Sequence, residues 1–185
     1  MQRRLAILAV TTFLVTLGAV SASADGTPTT VPAAPLAMFE GGLIDLSQGW
    51  GDAQACLIDR AAGIAECFRA STGLQAREAQ LAMTTPAPSI ALASCSSPLR
   101  LFADSNYGGR ELDLYDRGYW QNLSTWGFDN VLSSYKVGAC SVHLAENANG
   151  GGYWYPGNTN AGHSEPAMTA GSTNWDNRVS SAYLQ

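Results

Sequence analysis

One six-residue phrase occurs twice in the C-terminal half of this chain, as Asp129-Asn130-Val131-Leu132-Ser133-Ser134 and as Asp176-Asn177-Arg178-Val179-Ser180-Ser181. An aromatic residue precedes each copy, Phe128 or Trp175, and the acid, the amide and both serines are kept while the two residues between them vary. Upstream of each lies a second match: Phe102-Ala103-Asp104-Ser105-Asn106-Tyr107-Gly108-Gly109 aligns with Leu144-Ala145-Glu146-Asn147-Ala148-Asn149-Gly150-Gly151. A stretch that repeats two phrases in the same order is two copies of one structural unit, here 95–139 and 140–185. A single copy has one apolar face and nothing to bury it against, so the two must pack on each other.

The texture of these units is all-β. Short apolar runs separated by glycines and polar turns, with no helical period, mark strands at 99–102, 111–115, 134–137, 141–144, 153–155 and 182–184. About four strands per unit with one long excursion suit a Greek key. Two such keys predict a two-sheet β-sandwich. Glu111, Asp113 and Asp116 fall on or beside one strand and read as its solvent face.

An acid, an amide and hydroxyls all present oxygen, the donor that a hard cation such as Ca²⁺ prefers. Asp-Asn and Ser-Ser are also ordinary turn residues. Their recurrence at matching positions of a repeat moves the reading from turns to a pair of Ca²⁺ sites.

Residues 1–24 read as a signal peptide: Arg3 and Arg4 ahead of an apolar run from Leu5 to Val20, then Ala22-Ser23-Ala24 as the cleavage pattern, with the mature chain starting at Asp25. Its removal takes two arginines and no acids, leaving eight basic residues against fifteen acidic ones. That balance argues against nucleic acid and anionic membranes as partners, which call for basic patches. The expected location is secreted, outside the cell. Residues 25–37, with Pro28, Pro32 and Pro35, read as a flexible leader. Residues 38–82 read as a small module of hairpin and helix, the helix running from Gly73 to Ala82 behind a capping box of Thr72 and Gln75. Residues 83–94, with Pro86 and Pro88, read as a linker to the 95–185 domain.

Four cysteines in an exported chain point to two disulfides, with three connectivities open from sequence alone. If Leu57–Asp59 and Ile64–Glu66 form a hairpin around Arg60-Ala61-Ala62-Gly63, Cys56 and Cys67 fall opposite each other, and Cys95 pairs with Cys140 by default. The absence of CxxC or zinc-type spacing disfavours zinc and thiol redox chemistry.

At these residues the C-terminal half, about 95–185, resembles a microbial βγ-crystallin domain. That family's hairpin signature is an aromatic, four residues, an aromatic, one residue and a glycine, which Phe102, Tyr107 and Gly109 match; the second copy has Leu144 and Asn149 at the aromatic positions and keeps Gly151. The family's calcium signature of two acid/amide positions, two free positions, a hydroxyl and a serine is met by both hexapeptides. The resemblance implies a secreted, Ca²⁺-binding, non-enzymatic protein with two sites that stabilise the domain. Each ion would be clamped by the acid/amide segment of one motif, the hydroxyl of the other and a hairpin carbonyl. Carried onto this sequence, the ligands are Asp129, Asn130, Ser133, Asp176, Asn177 and Ser180, with the carbonyls of Ala103 and Ala145. Ser133 would serve the site built on Asp176, and Ser180 the site built on Asp129.

The same resemblance leaves open an alternative, a secreted protease inhibitor or toxin-like binding module on the same fold, its protein partner unknown, with an extracellular protease as one candidate. The Gly- and Asn-rich loop 147–173, with Tyr153, Trp154 and Tyr155, would supply its contact surface, although such aromatics also serve cores. Carbohydrate binding through Trp120, Trp126 or Trp154 has no motif behind it. No nucleophile elbow, P-loop, HExxH or dinucleotide fingerprint occurs, and His143 and His163 read as structural, so the chain does not read as an enzyme.

Overall fold

The computed structural model describes residues 35–84, 94–169 and 173–185. The expected signal peptide, most of the leader and most of the 83–94 linker lie outside the described residues. In chain order the elements are β1 (Leu36–Phe39), β2 (Gly42–Asp45), β3 (Ala55–Asp59), β4 (Ile64–Phe68), α1 (Ser71–Thr84), β5 (Ser94–Asp104), β6 (Gly108–Asp116), β7 (Trp120–Asn122), β8 (Ser134–Lys136), β9 (Val142–Ala145), β10 (Ser164–Glu165) and β11 (Ser181–Leu184).

Two sheets hold these strands, one of eight in the order β10-β8-β5-β6-β3-β4-β1-β2 and one of three in the order β7-β11-β9. The repeats exchange strands. β7, from the first unit, pairs with β11 of the second, while β10, from the second unit, pairs with β8 of the first. Each sheet therefore contains a strand from both copies, which is how two Greek keys become one sandwich. Between the sheets, Leu99, Leu101, Leu112 and Leu114 of the larger meet Val142, Leu144, Ala182 and Leu184 of the smaller, all at most 1% exposed. Alternation along each strand directs these residues inward.

The 38–82 segment shares that sheet. β3 lies parallel beside β6, with Ala55 opposite Glu111 and Ile58 opposite Leu114. Cys56 and Ile58 face the sandwich core, together with Leu46, Trp50 and Ala53. Ala55 and Leu57 face the other way, against Leu74 of α1. A strand buried on both faces reads as a continuous apolar run, as Ala55-Cys56-Leu57-Ile58 does. Trp50 is tied in further: its indole N–H donates to the carbonyl of Trp126 at 2.7 Å, and its ring meets Phe128 at 5.8 Å.

Helix α1 covers the outer face of this seam and corrects one expectation. Glu111, Asp113 and Asp116 are 2%, 0% and 2% exposed, not a solvent face. Arg100 donates to Asp113 (3.1 Å) and to Glu78 of α1 (2.5 Å), and the Tyr115 hydroxyl donates to Glu78 (2.6 Å). Asp116 accepts the backbone N–H groups of Arg60 and Ala61 at 3.1 and 3.0 Å. The face of β6 that carries Glu111 and Asp113 is roofed by a helix that only tertiary structure brings there, while Asp116, on the other face, is held by the turn between β3 and β4.

Both disulfides form as expected, Cys56 to Cys67 within the β3–β4 hairpin and Cys95 to Cys140 between the starts of the two repeats. With all four cysteines paired, the chain has the chemistry of an oxidising compartment. Among the described residues no helix is long and apolar enough to cross a membrane.

Candidate metal centre

Each hexapeptide is a turn between an anchoring aromatic and a strand. Phe128 and Trp175 are buried at 0% and 3% exposure, which fixes the entry to each turn. Asn130 and Asn177 hold φ of 53° and 56°, in the left-handed region. Asparagine is among the few non-glycine residues that enter it readily, which explains an amide at the second position. The Asn130 backbone N–H donates to the carbonyl of Val179 (3.1 Å) and that of Asn177 to Leu132 (2.9 Å), so the two hexapeptides are bonded reciprocally.

This exchange sets the Asn130 amide of the first repeat beside Ser180 of the second. The Ser180 hydroxyl faces Asn130 Oδ1 at 3.4 Å. Ser133 follows Leu132, the acceptor of the Asn177 N–H, and donates its own hydroxyl to the Ala103 carbonyl at 2.8 Å. Each Asn amide leans on the preceding acid, Asn130 Nδ2 to Asp129 Oδ2 and Asn177 Nδ2 to Asp176 Oδ2, both 3.2 Å. That leaves the Oδ1 atoms for other partners. Asp176 Oδ1 is buried and has none.

The second serine of each phrase is taken up differently. Ser134 donates to the Asp104 carbonyl (2.6 Å) and accepts the Tyr107 N–H (3.0 Å); Ser181 donates to the Asn147 carbonyl (2.6 Å) and accepts the Gly150 N–H (3.0 Å). These serines pin the hairpins and do not face the oxygen clusters.

The same pairs correct the alignment of the repeats by one residue. Asp104 matches Asn147 and Tyr107 matches Gly150, Asn106 and Asn149 share φ near 58° and 54°, and Gly109 and Gly152 share φ of 71° and 72°. Phe102 lies opposite Ser134 and Ala145 opposite Ser181. The structural counterpart of Ala103 is therefore Glu146, not Ala145. Ala145 instead accepts the Ser180 N–H at 2.9 Å, as Phe102 accepts that of Ser133. Three successive glycines, Gly150, Gly151 and Gly152, permitted the slip, and only backbone conformation distinguishes them.

With that register the missing aromatic corner of the second repeat is explained. In the first, Phe102 and Tyr107 pack edge to face at 5.6 Å. In the second, Gly150 vacates the Tyr107 position, and Trp120 from β7 fills it: a Cβ on Gly150 would lie 2.2 Å from Trp120 Cε2.

The second hexapeptide carries an ion pair that sequence reasoning missed. Arg178, a free position of the hexapeptide, donates to Glu146 Oε1 at 2.6 Å and lies 4.8 Å over the Trp175 ring. Arg178 and the Tyr153 N–H hold the Glu146 carboxyl below its ordinary pKa.

Solved structures similar to this chain are βγ-crystallin domains. One from Ciona intestinalis is 24% identical and spans 48% of this chain and 99% of its own length, at a TM-score of 0.40. A double mutant of a domain from Clostridium beijerinckii is 24% identical over 47% of this chain and 94% of its own (TM-score 0.37), and an archaeal βγ-crystallin is 20% identical over 48% and 98% (TM-score 0.37). The C-terminal half has a βγ-crystallin-like fold. The strand exchange between the repeats carries that description in this chain itself. No protein-family model matches the chain, and no curated protein matches it.

The remaining sequence candidates are placed as follows. His143 stacks on Trp154 at 4.8 Å, and the ring of His163 lies 6.3 Å from that of Tyr135. Tyr155 turns inward against Tyr135 and Trp175 at 5.8 and 5.5 Å, whereas Tyr153 and Trp154 are 76% and 51% exposed. The described aromatics of loop 147–173 thus divide between core and surface.

Proposed function

We propose that this chain is a secreted, non-enzymatic Ca²⁺-binding protein whose two sites fasten one Greek key to the other. The observation that carries this reading is the reciprocal backbone bonding of the two hexapeptides, together with the contact of Ser180 with Asn130 across them. One site draws on Asp129, Asn130, Ser180 and the Glu146 carbonyl, the other on Asp176, Asn177, Ser133 and the Ala103 carbonyl. The unpartnered Asp176 Oδ1 supports a cation over a plain turn, because a carboxylate oxygen removed from water without a donor is costly. Carbonyl, hydroxyl and carboxylate oxygens are the donor set of calcium. With one aspartate per hexapeptide, affinity should be modest, on the order of 10⁻⁵–10⁻³ M.

The test is calorimetric titration of Ca²⁺ into the full mature chain after chelator treatment. Two ions per chain are expected, one remaining in each of Asp129→Asn and Asp176→Asn and none in the double variant. Absence of heat at millimolar Ca²⁺, with an unmoved melting curve, overturns the reading.

A further inference from the structure

The outer face of the three-stranded sheet carries a cluster of rings that the calcium reading does not use. Trp120 of β7, Tyr183 of β11 and His143 of β9 are direct cross-strand neighbours. The residues beside them, Gln121, Ala182 and Leu144, point into the core at 4%, 0% and 1% exposure, so the three rings point out. Trp154 closes the group, 5.5 Å from Trp120 and 4.8 Å from His143, while Trp120 and Tyr183 lie 5.5 Å apart. Its indole N–H donates to the Gly150 carbonyl at 2.8 Å, which fixes the ring over the strands.

Burial does not require this arrangement. Trp154 stays 51% exposed, and Trp120, Tyr183 and His143 are each partly exposed. Aromatics left partly in water side by side on a folded domain mark a contact surface. Three rings on adjacent strands, with Trp154 across them, make an open platform of about 10 Å across the strands, not a cleft.

Charge selects the occupant. The chain has a formal net charge of −5, yet among the described residues no cation lies over a platform ring. Glu146, the residue after Ala145, is paired with Arg178 at 2.6 Å. The polar groups at the edge are amides: Gln185 Nε2 contacts His143 Nε2, and Asn122 and Asn149 bond to each other at 3.0 Å. An acidic protein with an uncharged platform repels anionic lipid and nucleic acid. The ring face of a neutral sugar, with C–H groups on its flat side and hydroxyls around its rim, complements both the aromatic rings and the amides. We propose that this platform binds a neutral polysaccharide chain, with Trp154 and Tyr183 as the stacking residues.

The experiment is native affinity electrophoresis of the full mature chain in gels containing hydroxyethylcellulose, laminarin or glycol chitin, with sedimentation velocity on the same samples. At least one polysaccharide should retard the protein. Trp154→Ala and Tyr183→Ala should weaken that retardation tenfold or more, with the circular dichroism of Trp154→Ala unchanged because its ring is half exposed. Trp154→Phe should retain most of the retardation. Migration unchanged in all three gels overturns the proposal. So does retardation that Trp154→Ala and Tyr183→Ala both leave intact, or a dimer in sedimentation that Trp154→Ala dissociates, which would assign the platform to a second copy.

Discussion

Trp120 lies against the backbone of Gly150: a Cβ there would approach its six-membered ring to 2.2 and 2.5 Å. Gly150 also holds φ of 76°, where side chains other than glycine are strained. The contact joins a strand of the first repeat to the hairpin of the second and substitutes for the aromatic that the second hairpin lacks. Gly150→Ala should therefore destabilise the fold through steric overlap and backbone strain together, by about 2–4 kcal/mol. Urea denaturation measures this. Gly118→Ala, also at positive φ (86°) but in open space, should cost only about 1 kcal/mol.

The seam between β3 and β6 yields a second expectation. Trp50 comes from the N-terminal segment, yet its N–H is spent on Trp126 and its ring on Phe128. Trp50→Ala should lose about 3–5 kcal/mol, as expected for a buried aromatic. Trp50→Phe should lose less, though it leaves the Trp126 carbonyl without its donor. A fragment beginning at Ser94 would expose β6 as a new edge together with the apolar surface that β3 covers, and exposed edges template association. It should be less stable than the full chain and prone to aggregate, which light scattering will show.

These two relationships mark the limits of the sequence reading. The duplication, five of the six strands expected between Leu99 and Leu184, the hairpin between Cys56 and Cys67 and the helix were legible because each leaves a local pattern of period, turn residues or spacing; the strand expected at 153–155 is only an isolated bridge of Trp154 to Ala145. The parallel pairing of Ala55 with Glu111 leaves none, since parallel partners are far apart in sequence. The short strands Trp120–Asn122 and Ser164–Glu165, whose exchange makes the sandwich, lack the length to show alternation. At the candidate site the acid, amide and serine of each repeat were readable from composition. The shift from Ala145 to Glu146 was not, because a run of glycines conceals which one carries the left-handed conformation.

The disulfides should differ in their contribution. Cys95–Cys140 closes a separation of 45 residues and Cys56–Cys67 one of 11. In the chain-entropy account these loops correspond to about 4 and about 3 kcal/mol. Replacing Cys95 and Cys140 together by alanine should lower the melting temperature more than replacing Cys56 and Cys67. Peptide mapping of the unreduced protein should recover these two pairings and no link between them.

Asp113 gives a dependence on pH. Its carboxyl is fully buried with one oxygen unpartnered, and burial raises its pKa well above the ordinary carboxylate value, with Glu111 and Glu78 adding to the rise and Arg100 opposing it. The folded state therefore holds a proton that the unfolded chain releases near its ordinary pKa. Stability from this group is complete below that value and declines as pH rises toward the folded pKa. Asp113→Asn keeps the shape and removes the ionisation. Its melting temperature should decline less than the wild type's between pH 4 and pH 8, and an identical slope in both proteins would dissociate Asp113 from the effect.

The two first serines provide the most discriminating test of the calcium reading, because the structure gives them different work. Ser133 donates a 2.8 Å hydrogen bond to the Ala103 carbonyl and is 5% exposed. Ser180 makes only a 3.4 Å contact with Asn130 Oδ1. Ser133→Ala should cost about 1 kcal/mol without calcium, the net worth of one such bond, whereas Ser180→Ala should leave the calcium-free protein nearly unchanged. With calcium present at ten times its dissociation constant, each occupied site should add about 1.4 kcal/mol. For a cooperative unit of this size that corresponds to roughly 3–6 °C in melting temperature per ion. Ser133→Ala should remove the increment of the site on Asp176, and Ser180→Ala that of the site on Asp129. Combining Ser180→Ala with Asp129→Asn should do no more to the calcium response than either alone, since both disable one site. Combining it with Asp176→Asn should abolish the response. Magnesium should give little of the increment, because it demands tighter octahedral geometry and sheds water reluctantly. If Ser180→Ala instead pairs with Asp176→Asn as a single site, the ligands do not cross between repeats, and the sites are assembled within each Greek key.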